Sequence, residues 1–425
     1  MKITCALSDF DFTNLASDLN IVLYGRPNKF GQGSVAATLK HDILRKKLVP
    51  ASRAWDLLSI SLSVICADLA GHRKFSPDGW TREFELTISV VDEPFWNANA
   101  AIFQQLLSFL TTDRWQLNFV ENGILPKPDK SAVYPQEDCV VLLSGGLDSL
   151  IGTIDLVANG KRPLAVSQKV RGDVDKQRLF AKKIGGSLEL FQVNHNAKLP
   201  NPEHSPSQRA RSIIFLAYGV LVATTLARYH QGERVTLYVC ENGFISINPP
   251  LTTGRIGSLS TRTTHPVVFS LLQQILDRAR INVEIVNPYR FKTKGEMLKE
   301  CQNQVLLKSL AFETTSCGRF GTYNYKHCGR CVPCLVRRSA FQAWKGNDKT
   351  NYFYDNLSLK DEKHAGFDDV RSMLIAITEW KEQGTQRWLG ASLSSSLIRD
   401  KREISNMIER GLVEIESYLN FLDVQ

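Results

Sequence analysis

The chain has 425 residues, enough for two to three domains of about 150 residues each. Hydrophobic residues make up 43% and charged residues 22%, which excludes wholesale disorder, a collagen-like repeat and a small disulfide-stapled scaffold. The 52 lysines and arginines against 43 acidic residues give a net charge of +9, spread along the chain. This modest excess suits a phosphate-bearing ligand or an acidic partner, and it is also typical of an ordinary solvated surface.

The sequence also bears on location and on macromolecular partners. Its amino-terminal residues lack the basic region and the apolar core of a signal peptide. The longest uncharged stretch, Ser212 to Ala227, is too short to span a membrane and predicts a buried helix. We therefore expect a cytoplasmic protein with no membrane partner. No basic stripe interleaved with aromatic residues is present in the sequence, so there is no direct evidence for a nucleic acid partner.

Residues 1–133 are expected to form an α+β extension. Residues 57–70 fit a helix but also alternate as in a strand, and we favour the helix. Residues 84–91 alternate cleanly and predict a strand, and residues 97–110 predict a helix. Three prolines between residues 122 and 136 indicate a linker.

Apolar runs alternate with amphipathic stretches across residues 134–345, which we predict to be the central domain. Strands are predicted at residues 139–143, 163–167, 187–193, 235–240 and 283–286. Helices are predicted at residues 149–158, 173–184, 212–227 and 266–280. This alternation predicts a doubly wound parallel α/β sheet, in which ligands bind beyond the carboxyl ends of the strands. Residues 346–425 predict a helical carboxyl-terminal region.

The hexapeptide Ser144-Gly-Gly-Leu-Asp-Ser149 follows a predicted buried strand and opens a predicted helix. Two glycines let backbone N–H groups approach an anion closely, and a helix amino terminus favours negative charge. Ser144 and Ser149 can donate hydroxyl hydrogen bonds to phosphate oxygens. Asp148 would repel phosphate, so we expect it either to bridge through Mg²⁺ or to cap the helix. The alternative to a phosphate site is a plain glycine turn with a polar cap.

Four of the nine cysteines, Cys317, Cys328, Cys331 and Cys334, lie within 18 residues. Four thiolates with two-residue spacings can close a tetrahedral coordination sphere, which predicts a structural Zn²⁺ site in segment 317–334. An iron–sulfur cluster is the competing metal centre, and unrelated buried cysteines are the alternative without metal. His327 is adjacent to the cluster and is expected to be a bystander.

The hexapeptide resembles the SGGxDS signature of the PP-loop ATP pyrophosphatases, a HUP-like fold family. Such enzymes cleave ATP between the α- and β-phosphates. The segment that contains the four cysteines resembles the zinc segment of QueC, the 7-cyano-7-deazaguanine synthase. Glu241-Asn242, after the fourth predicted strand, and Lys294 also resemble QueC stretches. The segment that follows Asn242 departs from the QueC pattern, which leaves the product open.

This resemblance implies a catalytic role for Ser144, Asp148 and Ser149, with Zn²⁺, ATP and Mg²⁺ as cofactors. It implies that a 7-carboxy-7-deazaguanine carboxylate is adenylated and then joined to an amine. The residues implied to bind ATP are Ser144, Gly145, Gly146, Leu147, Asp148, Ser149, Ser167, Arg209 and Arg211. The residues implied to bind the small-molecule deazaguanine are Glu241, Asn242 and Lys294.

Four functions remain open at this point. The length and the amino-terminal extension resemble the QueC-like component of bacterial antiphage systems of the Qat type (QatC). That resemblance implies a ligase whose acceptor amine belongs to a partner protein of the defence system. A genuine 7-cyano-7-deazaguanine synthase and a tRNA thiolase are alternatives within the superfamily. A non-catalytic nucleotide-binding assembly subunit is the alternative outside enzymes.

Overall fold

The computed structural model describes residues 1–127, 130–202, 209–252, 262–357 and 369–422. Within these ranges, ten strands form two five-stranded sheets, and every strand pair in both sheets is parallel. The predicted α/β fold with a parallel sheet is therefore confirmed.

The two sheets share one strand order, with the earliest strand in the centre. The first sheet, in the order β3-β2-β1-β4-β5, contains β1 (Lys2–Ala6), β2 (Leu19–Leu23), β3 (Gly33–Val35), β4 (Glu83–Ser89) and β5 (Arg114–Val120). The second sheet, in the order β10-β9-β6-β7-β8, contains β6 (Cys139–Leu142), β7 (Pro163–Gln168), β8 (Leu190–Val193), β9 (Val235–Tyr238) and β10 (Val283–Val286).

Helices connect most of the strands and cover both sheets. The amino-terminal helices are α1 (Leu39–Arg45), α2 (Ser52–Ala70), α3 (Glu93–Ala98) and α4 (Ala100–Thr111). The central helices are α5 (Leu147–Ala158), α6 (Val174–Lys183), α7 (Arg211–Ala223), α8 (Ala227–His230), α9 (Gly243–Ile247), α10 (Pro266–Arg278), α11 (Lys294–Glu300), α12 (Gln304–Leu310) and α13 (Val332–Trp344). The carboxyl-terminal helices are α14 (Asp369–Gln383), α15 (Thr385–Trp388) and α16 (Lys401–Phe421).

The amino-terminal region differs from the α+β extension that the sequence predicted. It is not α+β, because its four strand pairs are all parallel. Loops and a 3₁₀ turn, rather than helices, join β1 to β2 and β2 to β3, so the sequence there lacks the strand–helix rhythm that signals a parallel sheet. The helix favoured over residues 57–70 is confirmed as part of α2, and the strand over residues 84–91 is confirmed as β4.

The order of the second sheet creates a switch point. The chain moves from β6 outward through β7 and β8, then crosses to β9 on the other side of β6. In doubly wound sheets the crevice beyond the strand ends at such a reversal is where ligands bind. The loops that follow β6 and β9 both open there, and these loops contain most of the candidate site residues.

Helix α7 joins the two sheets into one hydrophobic core. It contacts β6, β7 and β9 on one side and α2 on the other. At Gly219 a Cβ would lie 2.7 Å from Leu237 Cδ1, so glycine permits this close approach. The helix ends earlier than predicted, at Ala223, and the N–H groups of Thr225 and Leu226 then donate to carbonyl oxygens three residues before them.

The described part of the carboxyl-terminal region contains the helices α14, α15 and α16, as predicted, and α16 packs against α13, α11 and α9. The domain limits near residues 133 and 345 stay predictions. Among the residues described by the structure, no helix is long and apolar enough to cross a membrane.

Candidate functional site

The loop after β6 has the shape expected of an anion cradle. Gly145 has a φ of +95°, a left-handed conformation that favours glycine, and a Cβ there would lie 3.2 Å from Asp173 Cβ. Gly146 is the N-cap of α5, and no side chain of the described residues caps this helix end. The first N–H groups of α5 therefore lack side-chain acceptors, which suits an anion at this helix end.

The two serines of the loop are placed together. The Ser144 Oγ lies 3.1 Å from the Ser149 Oγ and accepts a hydrogen bond from the Gly146 N–H at 3.2 Å. Ser149 Oγ also donates to the Gly146 carbonyl oxygen at 3.0 Å. The loop is thus held in shape by its own hydroxyls before any ligand is bound.

A cavity of about 230 Å³ opens beside Ser144. Its wall combines polar groups with apolar surface, as ligand sites do. The lining residues are Ser144, Gln168, Val170, Asp173, Arg211, Ser212, Phe215 and Thr263. Phe215 and Val170 offer apolar surface, and Arg211 supplies a partly buried cation whose pKa is lowered by burial.

The two arginines proposed for phosphate face different parts of the molecule. Arg211 lines the cavity, whereas the Arg209 guanidinium donates to the Thr111 carbonyl oxygen at 2.9 Å and to Thr112 Oγ1 at 2.8 Å. It also lies 4.8 Å from the Trp80 ring centroid. Arg209 therefore ties the start of α7 to the end of α4 in the amino-terminal region.

Two further residues that were expected to bind ATP, Ser167 and Leu147, are buried behind the loop. Ser167 is fully buried, and its hydroxyl donates to the Leu143 carbonyl oxygen at 2.5 Å. Leu147 is buried in the apolar cluster beneath α5. Both residues therefore stabilise the buried side of the loop.

Asp148 belongs to a buried cluster that lies at the switch point, on the side of the segment that follows β9. Lys294 Nζ donates to Asp148 Oδ1 at 2.5 Å, and the Asn242 side-chain amide donates to Asp148 Oδ2 at 2.7 Å. The Asn242 backbone N–H adds a third hydrogen bond at 3.1 Å. Because Gly146 is the N-cap, the helix-cap role predicted as one option for Asp148 does not hold. The structure does bring Asp148, Asn242 and Lys294 together.

Glu241 lies beside this cluster. Its Oε2 accepts a hydrogen bond from the Thr264 hydroxyl at 3.3 Å. Burial, followed by the negative charge of Asp148, raises the pKa of Glu241 to about 7, while Lys294 and Thr264 act in the opposite direction. A carboxyl group with this pKa changes charge near neutral pH, which is uncommon outside functional sites.

A group of three polar side chains beneath the glycine loop was not predicted from the sequence. The Thr315 hydroxyl donates to Asp173 Oδ1 at 2.7 Å and accepts from Lys176 Nζ at 2.7 Å. Burial lowers the pKa of Lys176 and raises that of Asp173. The sequence predicts Asp173 at the start of a helix, but nothing in the local pattern indicates that this residue lies against Gly145.

The four cysteines predicted as metal ligands form one cluster. Their Sγ atoms lie within 4.8 Å of one another, and all four side chains are buried and free of disulfides. The Cys317–Cys331 and Cys328–Cys334 Sγ distances are both 3.9 Å. A tetrahedral ion with metal–sulfur bonds of about 2.3 Å requires sulfur–sulfur distances of about 3.8 Å, so the cluster fits Zn²⁺.

Backbone donors complete the cysteine cluster. The N–H groups of Arg319 and Cys328 both donate to Cys317 Sγ, and the Cys331 N–H donates to Cys328 Sγ, each at 3.3 Å. Such donors stabilise thiolates. His327 instead accepts a hydrogen bond from the Ser316 N–H through Nε2, so it does not belong to the ligand group.

Comparison with known proteins adds independent information. The chain matches no family model. It is 23% identical over 241 residues to a 7-cyano-7-deazaguanine synthase of Sinorhizobium fredii, and 23% identical over 231 residues to one of Agrobacterium fabrum. Each match covers 50% of this chain and 91% of the relative. The chain is thus similar to 7-cyano-7-deazaguanine synthases over half of its length.

Proposed function

We propose that the protein is an ATP-dependent enzyme that adenylates the carboxylate of a 7-carboxy-7-deazaguanine-type substrate and joins it to an amine. One observation carries this proposal: the phosphate loop after β6 and the Asp148–Asn242–Lys294 cluster meet at one switch point of the sheet. A nucleotide on the loop and an organic acid beside the cluster would then be neighbours. Such an arrangement supplies catalysis mainly by positioning and charge stabilisation.

In this proposal the loop and Arg211 hold the phosphates of ATP, which enters with Mg²⁺. The substrate carboxylate attacks the α-phosphorus, pyrophosphate leaves, and an acyl adenylate forms. The amine then attacks the acyl carbon and AMP leaves. Asp148 already accepts hydrogen bonds at both oxygens, so its first task is to orient Lys294 and Asn242. Lys294 would bring positive charge to the carboxylate end of the substrate.

Glu241 and Asn242 are proposed to recognise the deazaguanine. An ionised Glu241 can accept hydrogen bonds from the donor face of a guanine-like ring, and its second oxygen, Oε1, has no hydrogen bond among the described residues. We further propose that the acceptor amine belongs to a partner protein and that the system serves antiviral defence. This part rests on the resemblance of the length and the amino-terminal extension to the QatC group.

A second candidate is a nitrile-forming 7-cyano-7-deazaguanine synthase. The specific observation in its favour is that both similar curated proteins have that name. In that case ammonium would be the amine, and a second ATP would dehydrate the amide.

The test is mass spectrometry of reactions that contain purified protein, ATP, Mg²⁺ and 7-carboxy-7-deazaguanine. One series contains ammonium, and the other contains proteins encoded beside this chain. AMP with a mass increment on a protein supports the ligase, and AMP with a free nitrile supports the synthase. Absence of AMP in both series contradicts adenylation of this acid.

The matched control is the pair Ser144→Ala and Ser339→Ala. Ser144 belongs to the loop, whereas Ser339 is a buried serine of α13 whose hydroxyl donates to its own helix. The proposal requires AMP formation to fall only in the first variant. Equal loss in both variants would indicate damage to the fold instead.

A further inference from the structure

Helix α16 supports both substrate-side segments of the candidate site. On one side, Gly411 lies against the ring of Phe244, so closely that a Cβ would collide with it. On the other side, the Arg410 guanidinium donates to Glu296 at 2.5 Å and to the Phe291 carbonyl oxygen at 2.9 Å. One helix of the carboxyl-terminal region thus contacts the elements that contain Asn242 and Lys294.

Glu414 is the residue of α16 that reaches the start of α11. Its Oε1 accepts a hydrogen bond from the Thr293 hydroxyl at 2.5 Å, and its Oε2 accepts one from the Gly295 N–H at 3.3 Å. Thr293 and Gly295 are the two neighbours of Lys294. A Cβ at Gly295 would collide with the Glu414 carboxylate, so the fit depends on glycine at this position.

The start of α11 is also stabilised from within the helix. The helix has its own capping box, in which the Glu296 N–H donates to Thr293 Oγ1 at 3.1 Å and the Thr293 N–H donates to Glu296 Oε2 at 2.9 Å. A capping box satisfies two N–H groups at a helix start, here those of Thr293 and Glu296. The Glu414 contacts add a partner for the Gly295 N–H and link this helix start to α16.

We propose that Glu414 is a positioning residue that holds Lys294 on Asp148 and thereby sets the substrate-carboxylate side of the active site. The inference rests on the proposed function for its catalytic meaning, but the placement of Lys294 can be tested without activity. Lys294 is buried, with an exposed side-chain fraction of 8%, and its ammonium group is engaged by Asp148. An amine in that state reacts slowly with acylating reagents.

The first test measures acetylation of Lys294 by acetic anhydride with mass spectrometry, on the full chain. In Glu414→Ala the lysine should be acetylated about tenfold faster than in the unaltered protein, because local opening exposes its amine. Glu414→Gln should restore slow labelling, since an amide can still accept from Gly295 and donate to Thr293. Glu416→Ala is the matched control: Glu416 lies on the same helix and pairs with Lys381 on the surface.

The second test measures AMP formation in the same variants. Glu414→Ala should lower kcat by about tenfold to a hundredfold through misplacement of the reacting groups, with little change in the KM for ATP. Unchanged Lys294 labelling in a folded Glu414→Ala protein would overturn the inference. Absence of AMP in the unaltered protein would instead refute the proposed function, and the labelling result would still decide the placement.

Discussion

The backbone N–H of Thr315 donates to the carbonyl oxygen of Gly145 at 3.0 Å. This hydrogen bond links the glycine loop after β6 to the segment that enters the cysteine cluster two residues later, at Cys317. The Arg337 guanidinium holds the same segment through Thr314 Oγ1 at 2.7 Å and Ser316 Oγ at 3.1 Å. The cysteine cluster and the glycine loop are thus neighbours in one hydrogen-bonded unit.

The first prediction concerns metal removal. Cys331→Ser should lose zinc and lower the thermal midpoint, because the metal supplies much of the folding energy of such a knuckle. Since Thr315 would lose its anchor, ATP affinity should also fall by about tenfold, equivalent to roughly one hydrogen bond. Metal content by mass spectrometry and ATP binding by calorimetry measure both effects.

Cys301→Ser is the control for that prediction. Cys301 is buried, but it lies at the end of α11 outside the cluster. It should keep a full complement of zinc. Full zinc occupancy in Cys331→Ser would contradict a site of four thiolates.

The second prediction separates the two arginines at the start of α7. Arg211→Met should raise the KM for ATP by about tenfold to a hundredfold, the usual value of a charge-assisted hydrogen bond to phosphate. Arg209→Met should leave that KM nearly unchanged and lower the thermal midpoint, because its partners are Thr111 and Thr112. Steady-state kinetics and thermal unfolding distinguish them, and a reversed pattern would refute the assignment.

The third prediction concerns pH and activity. The charged and polar groups that face Glu241 are Asp148, Lys294 and Thr264, and its pKa is raised to about 7. If the ionised carboxylate binds the substrate, the kcat/KM for the deazaguanine acid should rise with pH through about 7 and level off above it. Glu241→Gln should abolish this limb in a pH–rate profile. An identical limb in that variant would assign the titration to another group.

The Glu241 carboxyl group should also make the stability of the protein depend on pH. Its folded-state pKa lies above its ordinary value of 4.5, so the folded protein binds more protons between about pH 4.5 and 7. The contribution of Glu241 to the free energy of unfolding should therefore decrease as pH rises through this window. Between these pH values, the free energy of unfolding measured with urea should decrease less for Glu241→Gln than for the unaltered protein. An equal decrease in the two proteins would contradict the raised pKa of Glu241.

The fourth prediction concerns Asp148. Asp148→Asn should reduce AMP formation by at least about a hundredfold, because the charge that holds Lys294 is lost. Removing one member of a buried ion pair typically costs about 3–5 kcal/mol, so stability should fall as well. The double variant Asp148→Asn with Lys294→Met should recover stability but not activity. Recovery of both would show that the pair is structural only.

The sequence predicted the elements with strong local signals. The apolar run of β6, the glycines after it and the cysteine spacing are local features, and the structure confirms the parallel sheet and the four-cysteine cluster. The parallel order of the amino-terminal sheet was missed, because short strands joined by loops have no local mark of parallel pairing.

Other parts of the site depend on contacts between residues far apart in sequence. Glu414 reaches Thr293 across 121 positions, and Arg209 reaches Thr111 across 98. No helical or strand periodicity encodes such a pair. Arg209 and Arg211 are two residues apart at the start of α7, and only the packing of the amino-terminal sheet decides which one faces the cavity.

The most direct test of the central claim follows the oxygen atoms of the substrate carboxylate. The protein is given ATP, Mg²⁺, an amine acceptor and 7-carboxy-7-deazaguanine labelled with ¹⁸O in the carboxylate, and the nucleotide product is analysed by mass spectrometry. Attack of the carboxylate on the α-phosphorus predicts AMP that contains one ¹⁸O atom. Unlabelled AMP, or ADP in place of AMP, would contradict adenylation of this substrate.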